Sequence, residues 1–189
     1  MRVSSSLNTY PVFPDWVFTG QLSVQQQDID SILAQPVELA QTPYGSHTLP
    51  GKMTQGIYNL TRLVGSVFYD TAIPHFQLDA DWRNIESVDA QILTVKPGKC
   101  VPHSVCRHRW YRAAVFLQCA KHSSDIYLEM MDSKLHCNPP GAQDAVHLIK
   151  PDNLRMVFWP AHIPWGVTYN QSSSDTVIFT NTFIIKRTE

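Results

Sequence analysis

Two stretches of this 189-residue chain hold the residue types that could do chemistry. The first runs Cys100-Val101-Pro102-His103-Ser104-Val105-Cys106-Arg107-His108-Arg109-Trp110-Tyr111-Arg112. Zinc accepts thiolate and imidazole, so Cys100, His103, Cys106 and His108 are candidate ligands. Their spacing matches no standard zinc knuckle, and on a strand His103 would face away from the other three. A cysteine-lined strand packed in a core is the better reading. Cys106 with His108 could make a thiolate–imidazole pair, but nothing supplies the group that would orient the base. Arg107, Arg109 and Arg112, interleaved with Trp110 and Tyr111, could hold an anion or a single strand. Three arginines fit one solvated strand face better. The second stretch is Phe158-Trp159-Pro160-Ala161-His162-Ile163-Pro164-Trp165-Gly166-Val167. His162 could join His103 in an atypical metal site, although a histidine beside a proline turn is more often a polar rim residue. The indole of Trp165 is a donor only, with no lone pair for a metal. His47, His75, His122, His136 and His147 show no mutual spacing that suggests a site.

Both stretches lie in the part of the chain that reads as short strands. Apolar or alternating runs at 88–95, 112–119, 125–131, 145–150, 154–159, 165–170 and 175–185 are separated by Pro97-Gly98, Asn138-Pro139-Pro140-Gly141, Pro151-Asp152-Asn153 and Ser172-Ser173-Ser174. Ahead of them the period changes. Ser23 is placed to cap a short helix with Ile29, Ile32 and Leu33 on one face and Pro36 at its end. A second helix is expected over roughly 52–71, from Ile57, Leu60, Leu63, Val64, Val67 and Phe68 at helical spacing, with Pro74 closing it. Residues 36–52 read as loop. The first twenty residues carry Tyr10, Phe13, Trp16 and Phe18 among prolines and read as an extended arm or edge strand. Two helices followed by about eight short strands give a mainly β fold. The expectation is a double-stranded β-helix (jelly roll) over 21–189, with two N-terminal helices packed on one sheet and residues 1–20 as an arm.

The two stretches together resemble the halves of a cupin-like double-stranded β-helix. The resemblance is to the small, phage-type iron(II)/2-oxoglutarate oxygenase-like proteins. It rests on Trp82-Arg83-Asn84 before the barrel, on His103 opening it, on the Phe158 to Val167 strand closing it, and on Val12 to Val17 as an opening strand. It runs from about Trp82 to Phe183. It implies an iron site of two histidines and a carboxylate, and a basic residue for the cosubstrate. The sequence departs from that pattern at three of four positions. His103 matches the first histidine, but the acidic position falls on Val105, and no Asp or Glu lies between Asp89 and Asp125. The second histidine position falls on Trp165. The cosubstrate arginine falls near Thr176, and no Lys or Arg lies between Arg155 and Lys186.

Composition narrows the function classes. Net charge is −1 and no basic run exceeds Lys186-Arg187, so nucleic-acid binding has little support. No stretch of about 18 apolar residues occurs, so no span is expected. The N-terminus lacks the apolar core of a signal peptide, which predicts an intracellular protein at synthesis. Four cysteines are few for a disulfide framework. The sequons Asn59-Leu60-Thr61 and Asn170-Gln171-Ser172 read as chance matches without a secretion signal. Charged residues are only 16 %, and Lys and Glu are depleted at interfaces. The leading expectation is a non-catalytic jelly-roll protein with no cofactor. It would act as a structural or interaction subunit of a homo-oligomer or larger assembly, such as a phage virion or tail, contacting protein partners through Tyr10, Phe13, Trp16 and Phe18. The alternatives are an iron(II)/2-oxoglutarate oxygenase with an atypical site at His103 and His162, or a carbohydrate- or small-ligand-binding module using Trp110, Trp159 and Trp165 as stacking surfaces. Under the leading reading Trp165 is expected to fill the former metal cavity as core; an exposed ring would point to the ligand-binding module instead.

Overall fold

The structure, a computed structural model, describes residues 8–12, 15–35, 38–48, 54–75, 85–104, 111–129 and 146–185. Twelve strands among them form two antiparallel sheets. The larger has the order β1 (Asn8–Val12), β2 (Asp15–Gln21), β10 (Arg155–Pro160), β7 (Tyr111–Gln118), β12 (Thr176–Ile185), β5 (Ile85–Val95), β4 (Gly45–Thr48) and β3 (Leu39–Thr42). The smaller has the order β6 (Val101–Ser104), β11 (Trp165–Val167), β8 (Ile126–Glu129) and β9 (Val146–Ile149). From β5 to β12 the chain passes back and forth between the sheets, which is the expected double-stranded β-helix. Alternation gives each sheet two different faces. On β7, Ala113, Val115 and Leu117 face one core, and Ala114 and Phe116 face the other.

The first core lies between the large sheet and the helices. Helix α1 is Gln26–Leu33 and α2 is Gln55–Val67. Ile57, Leu60, Val64 and Val67 of α2 are buried, as their spacing requires. Phe68 sits at the centre, stacked on Phe183 at 4.8 Å and tilted against Phe158 at 5.5 Å. The Thr54 hydroxyl caps α2 by accepting from the Ile57 N–H at 3.3 Å. Helix α1 begins later than expected. Gln25, not Ser23, is its N-cap, and its side chain makes no capping bond. The second helical segment also outlasts α2. A π-helical turn, Phe68–Ala72, leads into a last turn, Ile73–His75, that contains Pro74. The widened turn sits directly before the proline, which lacks an N–H to continue the ladder.

The second core lies between the sheets and is the barrel interior. It holds Val17, Leu93, Val95, Ile126, Leu128, Val157, Trp159, Trp165, Val167 and Ile178, among others. Several elements differ from the reading of the sequence. Part of the expected loop at 36–52 is the β3–β4 hairpin, whose turn residues hid two four-residue strands. Gly45 enters it with a positive φ of 153°, where an added Cβ would lie 2.0 Å from the Thr94 carbonyl oxygen. The proline-rich start of the chain, in contrast, is in the sheet, as its edge-strand reading had it. Its β2 pairs with β1 on one side and β10 on the other. Strand β6 was not marked by apolar alternation at all. Beyond Glu129, the expected strand at 125–131 lies outside the described residues.

Candidate functional site

The local chain path explains how the second chemical stretch enters the barrel. Strand β10 ends at Pro160, and the Ile163 N–H donates to the Pro160 carbonyl at 3.0 Å, closing a turn. That turn buries Ala161 and Ile163, leaves His162 exposed, and moves the chain from the large sheet to the small one. The next residues form β11. Trp165 is paired with Ser104 of β6 and with Leu128 of β8. His103 therefore lies on the strand beside Trp165, one residue from its backbone partner. The fold brings the two sequence-predicted histidine positions onto neighbouring strands. Val105 lies outside the described residues.

Trp165 is 5 % exposed and belongs to the inter-sheet core. Its ring lies 5.6 Å from that of Trp159, which is fully buried, at a 57° tilt. The Arg112 guanidinium lies 5.4 Å from the Trp165 ring centroid. Gly166, between the two inward residues Trp165 and Val167, is fixed from the other side. A Cβ there would meet the Tyr127 hydroxyl at 2.3 Å. The Pro-Trp-Gly-Val sequence thus seats an indole inward and leaves no room for a side chain outward.

The wall facing Trp165 is polar at one level. Arg112 is the strand partner of Trp159 and of Thr182, and Ala114 is the partner of Thr180. A bulge at this level offsets β5 from β12. Thr180 and Thr182 pair with Gln91 and Val88, and Asp89 takes a positive φ of 61°, which a short polar side chain tolerates. Partial desolvation raises the Asp89 carboxyl pKa, and Arg112 and then His47 oppose that rise. His47 is the strand partner of Leu93. Asp89, His47 and Thr180 carried no sequence signal, because three strands separate in sequence supply them. Arg112 was grouped with a solvated face. It is instead half-buried against Trp165, and the signal for this was the Ala113-Ala114 pair that follows it on β7.

The other candidate positions are distributed as follows. Thr176 is fully buried, and its hydroxyl accepts from the Ser124 N–H at 3.4 Å. It carries no charge, and its level is that of Val95, four residue pairs along β12 from Thr180. Cys100 is exposed, not packed in a core, because it precedes β6 in the turn after β5. Cys106, His108, Arg107, Arg109 and Trp110 lie outside the described residues, as does Phe13. Trp159 and Trp165 present no open ring face, so they are not the stacking surfaces of a sugar site. Phe18 is buried in the helix-side core. Among the described residues, no group of three or more His, Cys, Asp or Glu is placed to hold a metal. Among them, too, no helix is long and apolar enough to cross a membrane.

Iron and 2-oxoglutarate can be tested against this donor set. The second histidine position offers an indole, which cannot donate an electron pair. The basic position offers a hydroxyl already engaged with a backbone N–H. The residues at the positions that the sequence resemblance assigns do not fit the standard centre.

No protein-family model matches the chain, and no curated protein sequence matches it. Solved structures do. A prolyl-4-hydroxylase from Pseudomonas putida superposes with a TM-score of 0.62 at 12 % identity, over 91 % of this chain and 93 % of that one. The non-heme α-ketoglutarate-dependent epimerase SnoN of nogalamycin biosynthesis gives 0.60 at 6 % identity, over 89 % and 78 %. HygX from Streptomyces hygroscopicus, with nickel, 2-oxoglutarate and hygromycin B bound, gives 0.58 at 6 % identity, over 88 % and 82 %. The chain has the double-stranded β-helix fold of the iron(II)/2-oxoglutarate oxygenase structures.

Proposed function

We propose that this protein uses an oxygenase-type barrel for binding rather than for iron chemistry. One observation carries the reading. Trp165, which the sequence resemblance puts at the second metal histidine, is packed between Trp159 and Arg112 and almost wholly buried. A large aromatic at that depth is core, and removing it would leave a cavity rather than a ligand. The test is elemental analysis of the protein purified from iron-supplemented cells. Sub-stoichiometric iron, unchanged in His103→Ala, supports binding. One iron per chain that is lost in His103→Ala refutes it.

A second reading keeps the chemistry and uses an atypical ligand set around His103 and His162. The fold comparisons favour it, since the solved structures named above include enzymes and a nickel- and 2-oxoglutarate-bound protein. The strand bearing His103 runs beside β11, the strand of Trp165. Turnover of 2-oxoglutarate to succinate that depends on both histidines would establish it.

Membership in a larger assembly is the finer form of the binding reading. It is supported by the low charge and by β1, which among the described residues forms one edge of the eight-stranded sheet with a single strand neighbour. An unpaired edge can accept a strand from another chain. Placement in a phage virion or tail rests on the sequence resemblance alone.

A further inference from the structure

A cleft of about 500 Å³ opens on the helix side of the large sheet, outside the barrel. Small-molecule pockets usually measure about 300–1,000 Å³. Helix α2 and the π-helical turn form one wall with Tyr58, Arg62, Gly65 and Tyr69, which share one helix face. Ile85 and Ser87 of β5 form the other wall, and Phe183 of β12 forms the floor. The cleft is open because residue 65 has no side chain. A glycine inside a helix weakens it relative to alanine, so a packing reason is expected. Gly56 of the same helix has one, since a Cβ there would lie 2.8 Å from Ile32 Cγ1. Gly65 has none, because its Cβ would meet only Phe183 Cε1, at an ordinary 3.6 Å. Helix–sheet packing therefore tolerates a side chain that the sequence omits, and the omission keeps the cleft open.

The lining decides the ligand class. The Ser87 hydroxyl donates to the Asn181 side-chain carbonyl at 2.8 Å, and the Thr61 hydroxyl, also in the wall, donates to the Ile57 carbonyl at 2.8 Å. Both hydroxyl protons are engaged within the protein, so the body of a ligand meets Phe183, Ile85 and the tyrosine rings. Arg62 differs. It is exposed, its guanidinium lies 6.0 Å from the Tyr58 ring centroid, and among the described residues it makes no ion pair. No acidic side chain is among the described residues that line the cleft. Charge complementarity then calls for one anionic head on an apolar body. From Tyr58 to Tyr69 the helical wall runs roughly 16 Å at about 1.5 Å per residue, which suits an extended body. We propose that this cleft binds an amphipathic carboxylate, with an aliphatic chain along Gly65 and Phe183 and its head at Arg62. The site lies outside the barrel and stands whether or not the barrel holds iron.

The experiment titrates full-length, 15N-labelled protein with sodium decanoate below its micellar concentration, read by calorimetry and by backbone amide spectra. Sodium acetate is the chain control and decyltrimethylammonium the head-group control. The expected result is saturation at one decanoate per chain, with shifts of the Gly65 and Ser66 amides, no response to acetate and weaker binding of the cationic surfactant. Arg62→Gln should weaken decanoate roughly three- to tenfold, the range from an exposed ion pair to a charged hydrogen bond. Gly65→Ala should leave Tm unchanged or raised. Gly65→Leu should fill the cleft and abolish binding while the rest of the spectrum shows a folded chain; if it does not fold, Arg62→Gln and the head-group comparison decide. No saturable shift at Gly65 and Ser66 overturns the proposal. Binding that Arg62→Gln or a folded Gly65→Leu leaves unaltered, or that the cationic surfactant matches, means adventitious adsorption only and also overturns it. A lower Tm in Gly65→Ala would show that packing requires the glycine, and would remove the reason for the cleft.

Discussion

Trp165→Ala measures how deeply the position that the sequence resemblance gives to a metal histidine is packed as core. A buried tryptophan removes about 150–250 Å² from water, and at about 25 cal/mol per Å² this is roughly 4–6 kcal/mol as an upper bound. Trp165 is 5 % exposed, so nearly all of that area counts. The tilted contact with Trp159 adds about 0.5–1.5 kcal/mol, and the Arg112 contact about 0.5–1 kcal/mol. Alanine retains part of the area, and the pocket collapses in part. A net loss of roughly 3–5 kcal/mol is therefore expected, as for other buried Trp→Ala changes. Urea unfolding followed by far-UV circular dichroism reads it as a lower midpoint with an unchanged slope. For a chain of this size the loss corresponds to a fall in Tm of about 6–20 °C. A loss below about 1 kcal/mol would falsify the packing argument, because it would place the ring in solvent.

Three further outcomes follow from single observations. Gly166→Ala brings a Cβ to 2.3 Å from the Tyr127 hydroxyl, so the ring must move, at a cost of about 1–3 kcal/mol; the double variant with Tyr127→Ala should lose less than the sum of the two single changes in the same assay. Burial lowers the pKa of His147, so the folded chain binds fewer protons there than the unfolded one. Stability from this residue is present above the unfolded value of about 6.5 and is lost as pH falls from there towards the folded value; His147→Gln should flatten that part of the stability–pH curve, and an unaltered slope would refute the assignment. Deleting residues 1–12 removes β1, whose only strand partner among the described residues is β2, so the barrel should remain folded while self- or partner-association weakens; an unchanged native mass and unchanged partners at dilute concentration would remove the support for the assembly reading.

Much of the barrel was legible because its strands are short, apolar and separated by strong breakers. The runs at 154–159 and 175–185 correspond to β10 and β12 to within a residue at each end. Trp165 could be placed in the barrel because the stretch from Phe158 to Val167 resembles a closing strand. The polar wall opposite it could not. Asp89, Arg112 and Thr180 meet only through the pairing of β5, β7 and β12, and the bulge at Asp89 leaves no mark in the apolar pattern. Arg112 was misread because neighbouring arginines suggest a solvated face, whereas its strand alternation turns it towards the indoles. The β3–β4 hairpin was hidden for the opposite reason. Its sequence is dominated by turn formers, and pairing with β5 rather than local propensity holds β4 in the sheet.

The central claim is that the barrel position of Trp165 is not an iron centre. Anaerobic titration of the chelator-treated full-length protein with iron(II) in the presence of 2-oxoglutarate tests it most directly, with visible absorption and the Trp159 and Trp165 indole resonances recorded together. The expected result is no charge-transfer band, together with indole signals that iron does not broaden. A band that saturates at one iron per chain and disappears in His103→Ala, with paramagnetic broadening of both indoles, would contradict the account.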